Sequence, residues 1–153
     1  MDMEKFTERS RGFLQAAQTI AMRENHQKLS PEHLLKALLD DPEGMATGLI
    51  SKAGGDAKSV VDETDVALAK VPRVSGDAGQ TYMDQSTVKV LDEAEKIATK
   101  AGDSFVAVER ILTALAVVKS KAKDALVAGN ITAMKLNAAI NDLRKGRTAD
   151  SAS

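Results

Sequence analysis

The sequence predicts an all-α fold: eight helices in two tandem four-helix repeats, packed against one another with pseudo-twofold symmetry. Three observations carry this prediction. Aromatic residues make up only 3% of the chain and there are three prolines, with few alternating β-branched runs, so there is little material for strands. Apolar residues recur at steps of three and four between capping signals, which is the spacing of one helix face. The stretch Leu29–Asp41, LSPEHLLKALLDD, returns in altered form as Val106–Val118, VAVERILTALAVV.

The repeat can be counted. Sliding the chain by 77 residues sets Leu14–Asp41 on Leu91–Val118, and eight of these 28 columns are identical: Leu14/Leu91, Ala17/Ala94, Ile20/Ile97, Ala21/Ala98, Glu32/Glu109, Leu35/Leu112, Ala37/Ala114 and Leu38/Leu115. Composition alone gives roughly two or three. Two repeats, each with an apolar face, bury that face against one another, which predicts one globule rather than two.

Each helix has its own local reason. Thr7 caps the first, which carries Phe13, Leu14, Ala17, Ile20 and Ala21 on one face and ends near Asn25. Ser30-Pro31-Glu32 starts the second with a capping hydroxyl, a proline at the first helical position and a carboxylate at the positive helix end. The third spans Met45 to Lys52 and closes at Gly54-Gly55; Asp56 caps the fourth. Pro72 through Met83, PRVSGDAGQTYM, breaks every period and reads as a surface linker. Asp84 caps the fifth helix, closed by Gly102-Asp103; the sixth carries Val108, Ile111, Leu112 and Leu115; the seventh runs around Ala122 to Ala128 and stops at Gly129; the eighth begins at Thr132. On this reading repeat one covers about 5–72, the linker 72–83 and repeat two about 84–146, with the polar KGRTADSAS starting a flexible linker at 147–153.

Composition excludes several functions. With 21 basic against 22 acidic residues the chain lacks the positive excess that nucleic-acid binding draws on. No run of 18 apolar residues suggests a membrane span, no signal peptide opens the chain, and the absence of cysteine removes disulfides and thiolate metal sites, so a reducing cytoplasm is the expected location. No phosphate loop of the GxxxxGK[ST] kind is present. His26 and His33 stand seven apart without a further ligand and read as solvated or helix-terminal; an exposed phosphohistidine carrier is the remaining chemistry for them. Without a base near any serine or threonine, an enzyme is not expected, nor is a metal or other cofactor in this domain.

The segments FTERSRGFLQAAQTIA, LSPEHLLKALLDD, LISKAG, LAKVPRVSG, VKVLDEAEKIATKAGDSFVAVERILTALA and NDLRKG together resemble the Clp N-terminal repeat domain, most nearly the form that precedes the AAA+ protein disaggregases. Order, spacing, linker and repeat agree from Lys5 to about Gly146. The resemblance implies a domain that binds unfolded or aggregated polypeptides and passes them to a homohexameric ATPase ring, with ATP and Mg held by modules outside this chain and the DnaK system as a collaborator. The isolated domain is expected to be a monomer. An alternative is an adaptor-docking domain of a protease-associated Clp ATPase.

On the family's pattern Thr7, Asp103 and Glu109 are the polar members of a substrate site. Each has a plainer reading beside it: a helix N-cap, a loop cap and a partner of a helix dipole. Val90, Leu91, Val108 and Ile111 are the expected groove lining, partly exposed where the first, fifth and sixth helices meet. Glu93 and Arg110 stand where some relatives carry exposed leucines, so they are expected to shrink the apolar patch.

Overall fold

The computed structural model describes residues 2–76 and 81–153. A 3-10 turn at Met3–Lys5 leads into α1 (Glu8–Arg23), followed by α2 (Pro31–Leu39), α3 (Met45–Lys52), α4 (Ala57–Ala69), α5 (Gln85–Lys100), α6 (Val108–Val117), α7 (Lys121–Ala128) and α8 (Ala133–Arg144). The caps read from the sequence are in place. Thr7, Asp56 and Thr132 accept from the backbone N–H three residues on, and Ser30 opens α2 in a capping box with His33.

Two short parallel strands were not expected. Lys28–Leu29 (β1) pairs with Tyr82–Met83 (β2), with Leu29 opposite Met83, and a lone parallel bridge joins Phe6 to Val106. The linker expected at 72–83 therefore ends in a strand pinned to the first repeat, and Val74 N–H is already bound to Asn25 O at 2.8 Å. Its residues 77–80 lie outside the described residues.

These bridges make the twofold concrete. Adding 77 to Leu29 gives Val106 and subtracting 77 from Met83 gives Phe6, so each bridge is the image of the other. Asp84 N–H donates to Leu29 O at 3.0 Å as Thr7 N–H does to Val106 O at 3.1 Å; Thr87 Oγ1 donates to Leu29 O at 2.8 Å as Ser10 Oγ does to Val106 O at 2.9 Å. The N-terminus of α1 thus stitches onto the second repeat, and that of α5 onto the first. From α3 onward the offset falls to 76, as Gly55 N–H to Ile50 O and Ile131 N–H to Leu126 O illustrate.

The interior is built on α2 and α6. Leu34, Leu35, Leu38, Ile111, Leu112 and Leu115 are fully or almost fully buried, and each such side chain contributes about 1.5–3 kcal/mol of transfer free energy. Val90, Leu91, Val108 and Ile111 belong to this core, each 3% exposed or less. The expectation that they line an open groove is therefore corrected: at α1–α5–α6 the two repeats close on one another and leave no room for a peptide on these side chains.

Candidate functional site

Asp103 and Glu109 are joined through Arg144 in one fastened polar cluster, and Thr7 lies beside it, lining a cleft with Glu109 and Arg144 but bonded to neither. Thr7 ends the segment bridged to Val106, its Oγ1 accepting from Ser10 N–H at 3.1 Å and donating to Ser10 Oγ at 2.9 Å, and it is buried. Asp103 follows the left-handed Gly102 that closes α5, and its amide bonds to Ala98 O at 2.8 Å. Glu109 sits in the first turn of α6, where a carboxylate complements the helix end, and is partly exposed.

The Asp103 carboxylate has no exposed surface and three donors. Arg110 Nε reaches it at 2.9 Å, Arg144 Nη1 at 2.6 Å and the Ala149 N–H at 3.0 Å. Burial by itself would raise its pKa, but the Ala149 amide and the two guanidinium groups outweigh it and hold the carboxyl below its ordinary value. Arg144, in the last turn of α8, also pairs with Glu109 at 3.2 Å, and its own pKa is raised: burial opposes its charge, the two carboxylates favour it. An alternating chain of charges, Arg110, Asp103, Arg144 and Glu109, therefore runs from the core to the surface.

Arg110 is corrected by this geometry. It is 2% exposed and turned inward onto Asp103, so it does not shrink a surface apolar patch; Glu93 is half-buried on α5. Nη1 of Arg110 has no protein partner among the described residues. His26 and His33 are also not solvated. They are buried and bonded to each other, Nδ1 to Nε2, at 2.8 Å, which leaves no exposed imidazole to carry a phosphate. Ser30 N–H donates to His33 Nδ1 at 3.0 Å, so the neutral His33 ring carries its proton on Nε2 and gives it to His26. Among the described residues no three His, Asp or Glu side chains gather as a metal site, and no helix is long and apolar enough to cross a membrane.

One open apolar surface lies beside the cluster. A trough of about 340 Å³ between α3 and α8 is lined by half-buried Met45 and exposed Leu143, with the buried Leu49 and Ile140 beneath and Gly44 and Gly48 alongside. Glu109 and Arg144 form one end of it, and Leu143 is half-exposed. From the sequence Ile140 and Leu143 are only the apolar face of the eighth helix, because a leucine at helical spacing looks the same whether it faces a core or a trough. Arg144 stands in the sequence only as part of the segment NDLRKG.

The tail also differs from expectation. Lys145 and Gly146 both take left-handed conformations and reverse the chain after α8. Residues 147–152 then cross the cluster instead of running free, with Ala149 O accepting from both Ser104 N–H and Phe105 N–H at 2.9 Å and Ala152 O from Glu8 N–H at 2.7 Å.

A four-helix unit present twice, with this polar cluster in its second copy, is the arrangement among the described residues. Residues 5–128 match the family described as the Clp repeat (R) N-terminal domain, and the chain belongs to that family. It is 58% identical over 154 residues to the chaperone protein ClpB of Rhodopseudomonas palustris, covering 99% of this chain and 18% of that protein, and 53% identical to the chaperone protein ClpB of Mesorhizobium japonicum, again over 18% of its length. The chain thus spans under a fifth of these relatives. The fold matches the crystal structure of the Hsp104 N-terminal domain from Candida albicans at a TM-score of 0.85, with 23% identity and 97% of each chain covered. It also matches a complex of a ClpV N-domain with a VipB peptide at 0.70, with 19% identity, covering 97% of this chain and 92% of that one.

Proposed function

We propose that this domain receives extended segments of unfolded or aggregated polypeptides and delivers them to the pore of a hexameric AAA+ disaggregase of which it is the N-terminal part. The observation that carries this reading is the trough between α3 and α8: apolar on its walls and closed at one end by the Glu109–Arg144 pair, it offers both burial for a side chain and polar partners for a main chain. The relatives named chaperone protein ClpB support the ring context, and the peptide complex of a ClpV N-domain supports peptide binding by this fold. ATP and Mg belong to the ring modules, and cooperation with the DnaK system and a cytoplasmic location come with the same reading.

Within the site, Glu109 contacts substrate directly. Asp103 positions Arg144, and Thr7 fixes the N-terminus of α1 that borders the cluster. Val90, Leu91, Val108 and Ile111 act from beneath, as the core that holds α5 and α6 in register. The area a single trough buries supports only micromolar or poorer affinity; six copies on one ring raise the effective concentration and let a segment be released as the motor pulls.

An NMR titration of the labelled domain with an unfolded polypeptide, and with the same polypeptide folded, tests the reading. Shifts at Glu109, Leu143 and Met45 that saturate only with the unfolded form are expected. Equal behaviour of the two forms, or no shifts, rejects it in favour of adaptor docking.

A further inference from the structure

The tail that crosses the cluster has a counterpart. After α4 the chain returns as Val71–Val74 and lines a cleft with Ser30, Glu32 and Asp84; after α8 it returns as Arg147–Asp150 and lines a cleft with Ala107, Glu109 and Thr7. The two sets are images: 71–74 and 147–150 differ by 76, and Ser30/Ala107, Glu32/Glu109 and Thr7/Asp84 each by 77. Each repeat therefore presents a slot across which an extended strand lies. In the first repeat that strand runs on toward β2 and is fixed. In the second, Arg147 anchors the start of the strand by its guanidinium on Leu143 O and Arg144 O, and beyond it the strand holds mainly by its main chain.

The grip on the second strand is specific in kind. Ala149 uses both its carbonyl and its amide, the amide to Asp103 Oδ1, and Ala152 offers its carbonyl to Glu8 N–H, a free donor in the first turn of α1. Ala149 and Ala152 are half-buried while Thr148, Asp150, Ser151 and Ser153 are exposed. Asp150 adds one side-chain contact, from Ser104 Oγ at 3.2 Å. Such a slot reads backbone and half-buries small side chains at two positions three apart, without selecting a sequence.

We propose that Thr148–Ser153 is an intramolecular ligand of this slot, and that an incoming extended polypeptide with small residues at the same spacing displaces it. Resting on the substrate-receiving function proposed above, this gives the site a built-in competitor: binding frees the strand, and a bound strand weakens binding. Displacement would also release the chain that follows α8, coupling occupancy of the slot to the reach of whatever follows.

The test uses the 153-residue chain and two variants. Ala149→Pro removes the amide bonded to Asp103. Glu8→Pro removes the donor to Ala152 at the first helical position, where proline is tolerated, after a Thr7 already extended at ψ 158°. Hydrogen exchange at Ser104 and Phe105 should rise at least tenfold in Ala149→Pro while Leu112 and Leu115 stay protected. Ala149→Pro, which alters only the strand, should bind reduced, carboxymethylated α-lactalbumin at least threefold more tightly than the parent, whereas Glu8→Pro, which deletes a donor of the slot itself, should not. The acetylated peptide KGRTADSAS added in trans should shift Glu8, Ser104 and Phe105 in Ala149→Pro at concentrations that leave the parent unchanged. Unaltered exchange, or faster exchange with unaltered affinity in Ala149→Pro, overturns the competitor while leaving binding at Leu143 and Glu109 intact. If the unfolded protein binds no form but the peptide still fills the slot of Ala149→Pro, the strand is a ligand of the slot and the substrate-receiving function is what fails.

Discussion

Arg110 occupies in the second repeat the place that His33 holds in the first. Each lies in the first turn of the second helix of its repeat, 77 residues from the other, and each bonds the residue seven positions before it: Arg110 Nε to Asp103 Oδ2 at 2.9 Å, His33 Nε2 to His26 Nδ1 at 2.8 Å. One buried position thus holds a neutral imidazole pair in one repeat and an ion pair in the other, and only the ion pair is extended to the surface, through Arg144. The difference gives the two halves different sensitivities.

Neutralising Asp103 should be the most damaging single change in the cluster. Asp103→Asn leaves Arg110 buried without its carboxylate and removes the main anchor of Arg144, a loss of about 3–5 kcal/mol read from the urea midpoint. Arg110→Met should cost less, because Asp103 keeps Arg144 and the unpartnered Nη1 disappears. Equal losses would contradict this asymmetry.

Stability should fall with acid through the histidine pair. Burial lowers the pKa of His33 to about 4 and also lowers that of His26, against about 6.5 in the unfolded chain. The unfolded state therefore binds more protons at His33 between about pH 6.5 and 4, and stability declines across that window by up to about 1.4 kcal/mol per pH unit; His26, lowered in the same direction, adds to the decline below about pH 6.5. Glu32, raised by burial, acts in the opposite sense. His33→Gln keeps a capping-box side chain, and its unfolding free energy should vary less with pH over this window than that of the parent.

Gly129 has no substitute. Its carbonyl accepts from Asp56 N–H at 2.8 Å, and a Cβ there would overlap Val60 and lie 2.9 Å from Asp56 O. Gly129→Ala should force α4 and α7 apart at a cost of about 1–3 kcal/mol, measurable as a lowered midpoint with unchanged helical content.

Leu143 tests the trough without disturbing the core. Being half-exposed, Leu143→Ser should change stability by no more than about 0.5 kcal/mol. Its affinity for an unfolded polypeptide should drop by about fivefold in fluorescence anisotropy, the equivalent of about 1 kcal/mol of lost apolar contact. Unchanged affinity would remove the trough from the site.

The sequence by itself determined the eight helices, their caps and their duplication, because capping residues and 3.6-residue periodicity act within a turn or two of chain, and a repeat is legible wherever equal packing demands equal residues. Thr7, Asp103 and Glu109 were also legible, through family resemblance. The tertiary structure decided the rest. Periodicity marks Val90, Leu91, Val108 and Ile111 as inward-facing but cannot say whether inward means core or groove; that depends on how closely the second repeat approaches. Arg110 reads as a surface charge until Asp103, seven residues away, is placed beneath it and Arg144 arrives from α8. The β1–β2 pair and the returning tail were hidden for a common reason: their bonds are made by main-chain atoms, which every residue carries and which leave no mark on the sequence.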